Sequence, residues 1–216
     1  KLACEERDES ARRGTAVHEA CERYLKGDVI NGGESVWGDE FNKRMMQFEH
    51  WVENVKPDIQ GSLTDMNAVK TANFDAIYSA YNIDHIYPHE VPVALKEFYR
   101  VLKDDGFVVL RCPDIQKVCE AIVQDKLLES LYESPIGPIS PIDIIYGNRK
   151  SIAKGNKYMS KKCGFTYTVL NNSFGEAGFK ARYGGRFNRS GGELFIVAFK
   201  QEKTEKEIKK IADPFF

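Results

Sequence analysis

The chain of 216 residues carries 31 basic and 32 acidic side chains, a balance that gives no general affinity for nucleic acid or an acidic membrane. Hydrophobic residues make up 42% and charged residues 29%, which suits one folded domain with a full core and excludes a disordered or fibrous chain. No apolar run approaches the ~20 residues of a membrane-spanning helix, and the opening KLACEERDES is too charged to read as a signal peptide. The first residue is Lys rather than Met, which leaves room for a preceding segment. Cys4, Cys21, Cys112, Cys119 and Cys163 show no CxxC or paired spacing, so reduced thiols in a cytoplasmic protein are expected.

Residues 1–56 are polar and helical in pattern. Val17, Cys21, Tyr24 and Leu25 recur at helical spacing up to Gly27, a loop is expected at Asn31–Ser35, and a second helix over 40–53 closes at Pro57. From Asp58 the pattern alternates between strands and helices. Strands are predicted over 59–63 and 74–80, then a helix over 90–102 with Leu95, Phe98 and Leu102 inward. Asp105-Gly106 turns the chain into a strand over 107–112. Asp114 is placed to cap a helix carrying Ile115, Val118, Cys119 and Ile122.

Residues 133–163 are rich in Pro and Gly and read as a long functional loop or lid, with Tyr146, Asn148, Asn156, Tyr158 and Met159 as candidate lining residues. A helix over 168–177 stops at Gly178. Strands over 179–187 and 193–199 are joined by Asn188–Gly192 as a hairpin, and 201–216 form a charged tail. No internal repeat is visible. Three parts follow: a helical segment 1–56, an α/β domain 57–200, and the tail. The alternation predicts a Rossmann-like, mostly parallel sheet with a C-terminal antiparallel hairpin at or near its edge.

Phe74-Asp75-Ala76-Ile77-Tyr78-Ser79, Asn82-Ile83-Asp84-His85-Ile86 and Phe98-Tyr99-Arg100-Val101-Leu102-Lys103 together resemble the middle of a class I S-adenosylmethionine-dependent methyltransferase. The resemblance covers about residues 56–199, with Asp104-Asp105-Gly106 in place of the usual Pro-Gly-Gly turn. It implies an S-adenosylmethionine site at the carboxyl ends of the strands. Asp65 would accept from the adenine amino group and Met66 would pack on the ring, unless Asp65 simply caps a turn. Ser79, Tyr81 and Asn82 would line the cofactor, and His85 would line the site or act as a general base.

The family's glycine-rich first loop is not recognisable before Pro57. Gly32-Gly33 follows only Val29-Ile30, so the sheet is expected to be incomplete on its N-terminal side. Residues 12–28, RRGTAVHEACERYLKGD, instead resemble the amino-terminal helix of RecB-like PD-(D/E)XK exonucleases, with His18 and Glu22 four apart on one helical face. No Asp and Glu-x-Lys hairpin follows to hold a nuclease metal.

The leading expectation is methyl transfer from S-adenosylmethionine to a small-molecule or sugar-like acceptor. A non-catalytic interaction module derived from that fold is the first alternative, and a metal-dependent nuclease fragment the second. No metal site and no membrane partner are expected, and nucleic acid is disfavoured. An exposed sheet edge would favour self-association.

Overall fold

The computed structural model describes residues 61–134, 137–187 and 191–212. The predicted helices before residue 57, the glycine pair at 32–33 and the exonuclease-like segment 12–28 lie outside these residues.

Strand β1 (Phe74–Ala80) runs into two short 3-10 turns, Ile83–His85 and Pro88–Glu90, and then helix α1 (Val91–Val101). Strand β2 (Leu102–Pro113) follows, then helix α2 (Ile115–Val123). The 131–163 region holds a small hairpin, β3 (Tyr132–Ser134) and β4 (Gly137–Ile139), followed by helices α3 (Pro141–Tyr146) and α4 (Arg149–Ala153) and the 3-10 turn Lys157–Met159. Helix α5 (Tyr167–Glu176), the hairpin β5 (Ala181–Phe187) and β6 (Glu193–Phe199), and helix α6 (Glu205–Ala212) complete the described chain.

The main sheet has the order β1-β2-β6-β5. β1 and β2 are parallel, while β6 lies antiparallel between β2 and β5. The hairpin therefore inserts one strand and leaves the other at the edge, contributing two antiparallel pairings. The α/β class read from the sequence holds. The outer side of β1 has no strand neighbour among the described residues.

Alternation along the strands feeds two cores. One face presents Val108, Leu110, Leu194 and Ile196 to Leu95 and Phe98 of α1 and to Leu170 and Phe174 of α5. The other presents Tyr78, Phe107, Val109, Phe195, Val197 and Phe199, with Ala212 of α6 packed against them. All seven residues of β6 are buried, as expected of a strand covered on both faces. The hairpin needs a glycine at 184, where a Cβ would fall 2.1 Å from the Phe195 carbonyl oxygen.

Three predicted features change. The turn expected at Asp105-Gly106 is part of β2, which already begins at Leu102 and pairs with β1 through a register shift. The strand expected at 59–63 is absent over its described part: Ser62 and Asp65 exchange backbone hydrogen bonds of 3.3 and 3.2 Å in a tight turn. The chain after it is tied to α1, with Arg100 donating to the Met66 and Val69 carbonyls. The 133–163 segment is also no open loop. Asp143 closes the α3 cap with Ser140 and takes Arg149 in an ion pair, and those bonds hold its carboxyl well below the usual range against the opposing effect of burial. Val118 of α2 packs with Ile139 and Ile144 beneath the segment.

Candidate functional site

The carboxyl ends of β1 and β2 meet the loop 81–90 on one side and the chain returning through residues 158–165 on the other. Ser79, the penultimate residue of β1, is 2% exposed, and its hydroxyl has no hydrogen-bond partner among the described residues. A buried hydroxyl without a partner is costly, by about 1–3 kcal/mol, and such groups mark places where something else binds or where strain is stored.

Tyr81 directly follows the strand in the left-handed conformation, φ 55°. That conformation is uncommon for a bulky residue and costs on the order of 1 kcal/mol. It is held by the Tyr81 amide donating to the Arg111 carbonyl at 2.9 Å, with the Arg111 guanidinium 5.9 Å from the Tyr81 ring centroid. Arg111 is itself fixed by Glu193 of β6 at 2.6 Å. The residue that ends β1 is thus positioned by two neighbouring strands.

Beyond Asn82 the 3-10 turn buries Ile83 and Asp84. Asp84 is 2% exposed, and its Oδ2 accepts from the Lys161 ammonium. Its Oδ1 has no hydrogen-bond partner among the described residues and lies 3.9 Å from His85 Nε2. The Asp84 carbonyl accepts from the Lys162 and Cys163 amides at 2.9 and 3.2 Å, and the Cys163 thiol donates to the Ile83 carbonyl at 3.3 Å.

His85 Nδ1 lies 2.9 Å from the Tyr158 carbonyl and 3.1 Å from that of Ser160. Both are acceptors, so Nδ1 carries the proton and Nε2 keeps the lone pair of the neutral ring. Burial, helped by the positive charge of Lys161 and opposed by Asp84, lowers the imidazole pKa below its ordinary 6.5. Burial together with Asp84 pushes the Cys163 thiol up to about 11, and burial raises Cys112 well above its usual value. Neither thiol is poised to act as a nucleophile.

A methyltransferase-domain family model matches residues 21–110, ending within β2. Over those residues the chain is similar to a methyltransferase domain. The match starts inside the undescribed N-terminal part and takes in all of β1, Tyr81–His85 and α1. The comparisons lend no support to the exonuclease resemblance of residues 12–28.

No curated protein matches the chain. Among solved structures it is similar to a SAM-dependent methyltransferase of Thermotoga maritima described as a possible histamine N-methyltransferase, at 15% identity and TM-score 0.45, over 88% of this chain and 92% of that one. A SAM-dependent methyltransferase of Methanosarcina mazei matches at 14% identity and TM-score 0.41, covering 66% of each chain. PigF, solved with SAH, matches at 14% identity and TM-score 0.41, over 76% of this chain and 45% of its own. The chain spans between 41% and 66% of the length of the first structures it matches.

Within the matched residues, Ser79, Tyr81, Asn82 and His85 come together at the end of β1. Asp65 and Met66 do not join them. Asp65 Oδ1 accepts from the Asn67 amide at 3.1 Å, the turn-capping alternative, and the Met66 amide donates to Glu97 at 2.9 Å. Both stand on the flank of α1 beside a shallow depression lined by Val93, Lys96 and Glu97. Glu97 lies six residues into α1, about 9 Å along its axis at 1.5 Å per residue.

Of the lid candidates, Tyr158 reaches His85 through its carbonyl, and Asn148 caps α4 by accepting from the Ser151 amide at 2.9 Å. Tyr146 is exposed, while Asn156 and Met159 are half-buried. Asp84, Lys161 and Arg111 are the residues that sequence reasoning missed. Asp84 had one local signal, a carboxylate between two isoleucines in an Ile-Asp-His-Ile run. Lys161 had none, since 77 residues separate it from its partner.

Proposed function

We propose that the chain binds S-adenosylmethionine at the carboxyl ends of β1 and β2 and supports methyl transfer to a small-molecule acceptor. The observation that carries this reading is the methyltransferase-domain match over residues 21–110. The described residues fit a cofactor wall in one respect: the buried, unpartnered Ser79 hydroxyl stands at the strand end beside Tyr81 and Asn82. In this reading those three residues hold the cofactor, which supplies an electrophilic methyl group when bound.

The loop around Tyr81–His85 and the insertion 133–163 form the acceptor side. Such a transfer depends chiefly on aligning the nucleophile with the methyl group. His85 contributes by fixing the insertion through Nδ1 and by offering Nε2 as a base in its neutral form. The three unpaired thiols Cys112, Cys119 and Cys163 suit a reducing, cytoplasmic setting. No helix among the described residues is long and apolar enough to cross a membrane. The side of β1 that has no strand neighbour among the described residues is the edge through which two chains would pair.

Calorimetric titration of the full chain with S-adenosylmethionine and S-adenosylhomocysteine tests the reading. Micromolar binding weakened fivefold or more by Ser79→Ala or Tyr81→Ala supports it. A folded chain that binds neither compound leaves the non-catalytic module instead. Asp65→Ala and Met66→Ala test the remaining two positions: affinity within twofold of the unsubstituted chain removes them from the cofactor set.

A further inference from the structure

Six cationic side chains, Arg149, Lys150, Lys154, Lys157, Lys161 and Lys162, fall within fourteen residues of the insertion, and no Asp or Glu occurs from 144 to 175. In a chain of net charge −1 the remainder is correspondingly acidic. Three of the six are used internally. Arg149 pairs with Asp143, Lys161 with Asp84, and the Lys162 ammonium sits 4.7 Å from the Tyr87 ring centroid.

Lys150, Lys154 and Lys157 are exposed and make no ion pair, hydrogen bond or ring contact through their side chains with any described residue. They are nevertheless grouped by a folded scaffold. Lys150 and Lys154 are four apart, on one face of α4 and its C-cap. The chain then turns back at Gly155, with the Asn156 amide donating to the Ser151 carbonyl at 3.2 Å, which returns Lys157 to the helix. The 3-10 turn that Lys157 opens supplies the Tyr158 carbonyl held by His85, so this cationic unit is docked on the loop at the end of β1.

Resting on the methyl-transfer reading, we propose that Lys150, Lys154 and Lys157 bind the acidic part of the methyl acceptor, a small molecule carrying two or more negative charges as phosphate or carboxylate. Like charges held close together repel in the empty protein, and a multivalent anion removes that repulsion. Ammonium groups act as point charges without the planar fork of arginine, which suits anions of no fixed geometry. A long nucleic acid is disfavoured, because three free lysines match one or two anionic groups and the acidic remainder repels a charged polymer.

The probes are pyrophosphate and citrate, titrated into the full chain by calorimetry, with S-adenosylhomocysteine titrated into the same preparations. Binding of pyrophosphate or citrate that weakens as salt is raised is expected, and whichever binds more tightly assigns the group as phosphate or carboxylate. The triple substitution Lys150→Gln, Lys154→Gln, Lys157→Gln is expected to weaken it at least tenfold, with melting temperature unchanged and S-adenosylhomocysteine affinity within twofold. The corresponding Lys→Arg triple variant keeps it.

Failure of both anions to bind, equal binding by the Gln variant, or a single-stranded RNA that binds more tightly than both and is lost in the Gln variant would overturn the proposal. Loss of S-adenosylhomocysteine binding alone, with anion binding intact, would remove the methyl-transfer reading and with it the acceptor role, while leaving an anion site.

Discussion

Lys161→Ala is the substitution whose consequence follows most directly from the packing. The Asp84 carboxylate is 3% exposed in its side chain and Lys161 10%, and the ammonium is the one full charge bonded to that carboxylate. Oδ1 already has no hydrogen-bond partner among the described residues, so removing the ammonium strands a buried anion with none of them at either oxygen. Breaking a buried pair in this way costs about 3–5 kcal/mol, because the desolvation already incurred is no longer offset by attraction.

At roughly 2–4 °C per kcal/mol for a chain of this size, the melting temperature should fall by roughly 10 °C. The double variant Asp84→Leu, Lys161→Met removes both charges while keeping much of the volume, and should recover most of the loss. Urea unfolding followed by circular dichroism measures all three chains. A single variant costing under about 1 kcal/mol, or a double variant no better than the single, would mean that the Asp84 carboxylate is not held out of water as argued.

Three further outcomes are expected. The His85 pKa lies below its ordinary 6.5, so the unfolded chain takes up that proton first as pH falls; its contribution to stability is complete above 6.5 and is lost as pH falls through the folded value. Melting curves between pH 5 and 7.5 should therefore slope less in His85→Gln than in the unsubstituted chain, and equal slopes would refute the assignment. Gly184→Ala, with its Cβ 2.1 Å from a backbone oxygen, should cost at least about 2 kcal/mol, whereas Gly185→Ala, with nothing within 4 Å, should stay within about 0.5. Equal effects in urea unfolding would show the hairpin to be looser than described. Ser79→Ala deletes a buried hydroxyl that has no partner among the described residues, so the ligand-free chain should be unchanged or stabilised by up to about 1 kcal/mol; a loss above that in thermal unfolding would reveal a partner for Ser79.

Local pattern was sufficient for the elements that satisfy themselves locally. The apolar spacing of Leu95 and Phe98 makes α1, although Leu102, expected on the same face, opens β2; the apolar run Phe107–Leu110 makes the core of β2, and Asp114 caps α2 by accepting from the Gln116 amide at 3.0 Å. The turn Asn188–Gly192 between two apolar runs announced the hairpin. Pattern failed at Gly61–Leu63, where short apolar content mimics a strand but Ser62 and Asp65 bond each other in a tight turn. It failed also in the insertion, whose Pro and Gly residues open helices and turns: Pro141 starts α3, and Gly147, φ 95°, ends it.

The site divides along the same line. The amino-acid sequence by itself determined that a strand ends at Ala80, just past Ser79, that Tyr81, Asn82 and His85 follow it, and that a methyltransferase resemblance covers them, because these facts depend on residues within a dozen positions of one another. Only the tertiary structure decided that Asp84 is buried against Lys161, that His85 is fixed by carbonyls more than seventy residues away, and that Asp65 stands on the flank of α1. Each of those depends on which distant group reaches a buried atom, and local sequence carries no record of that.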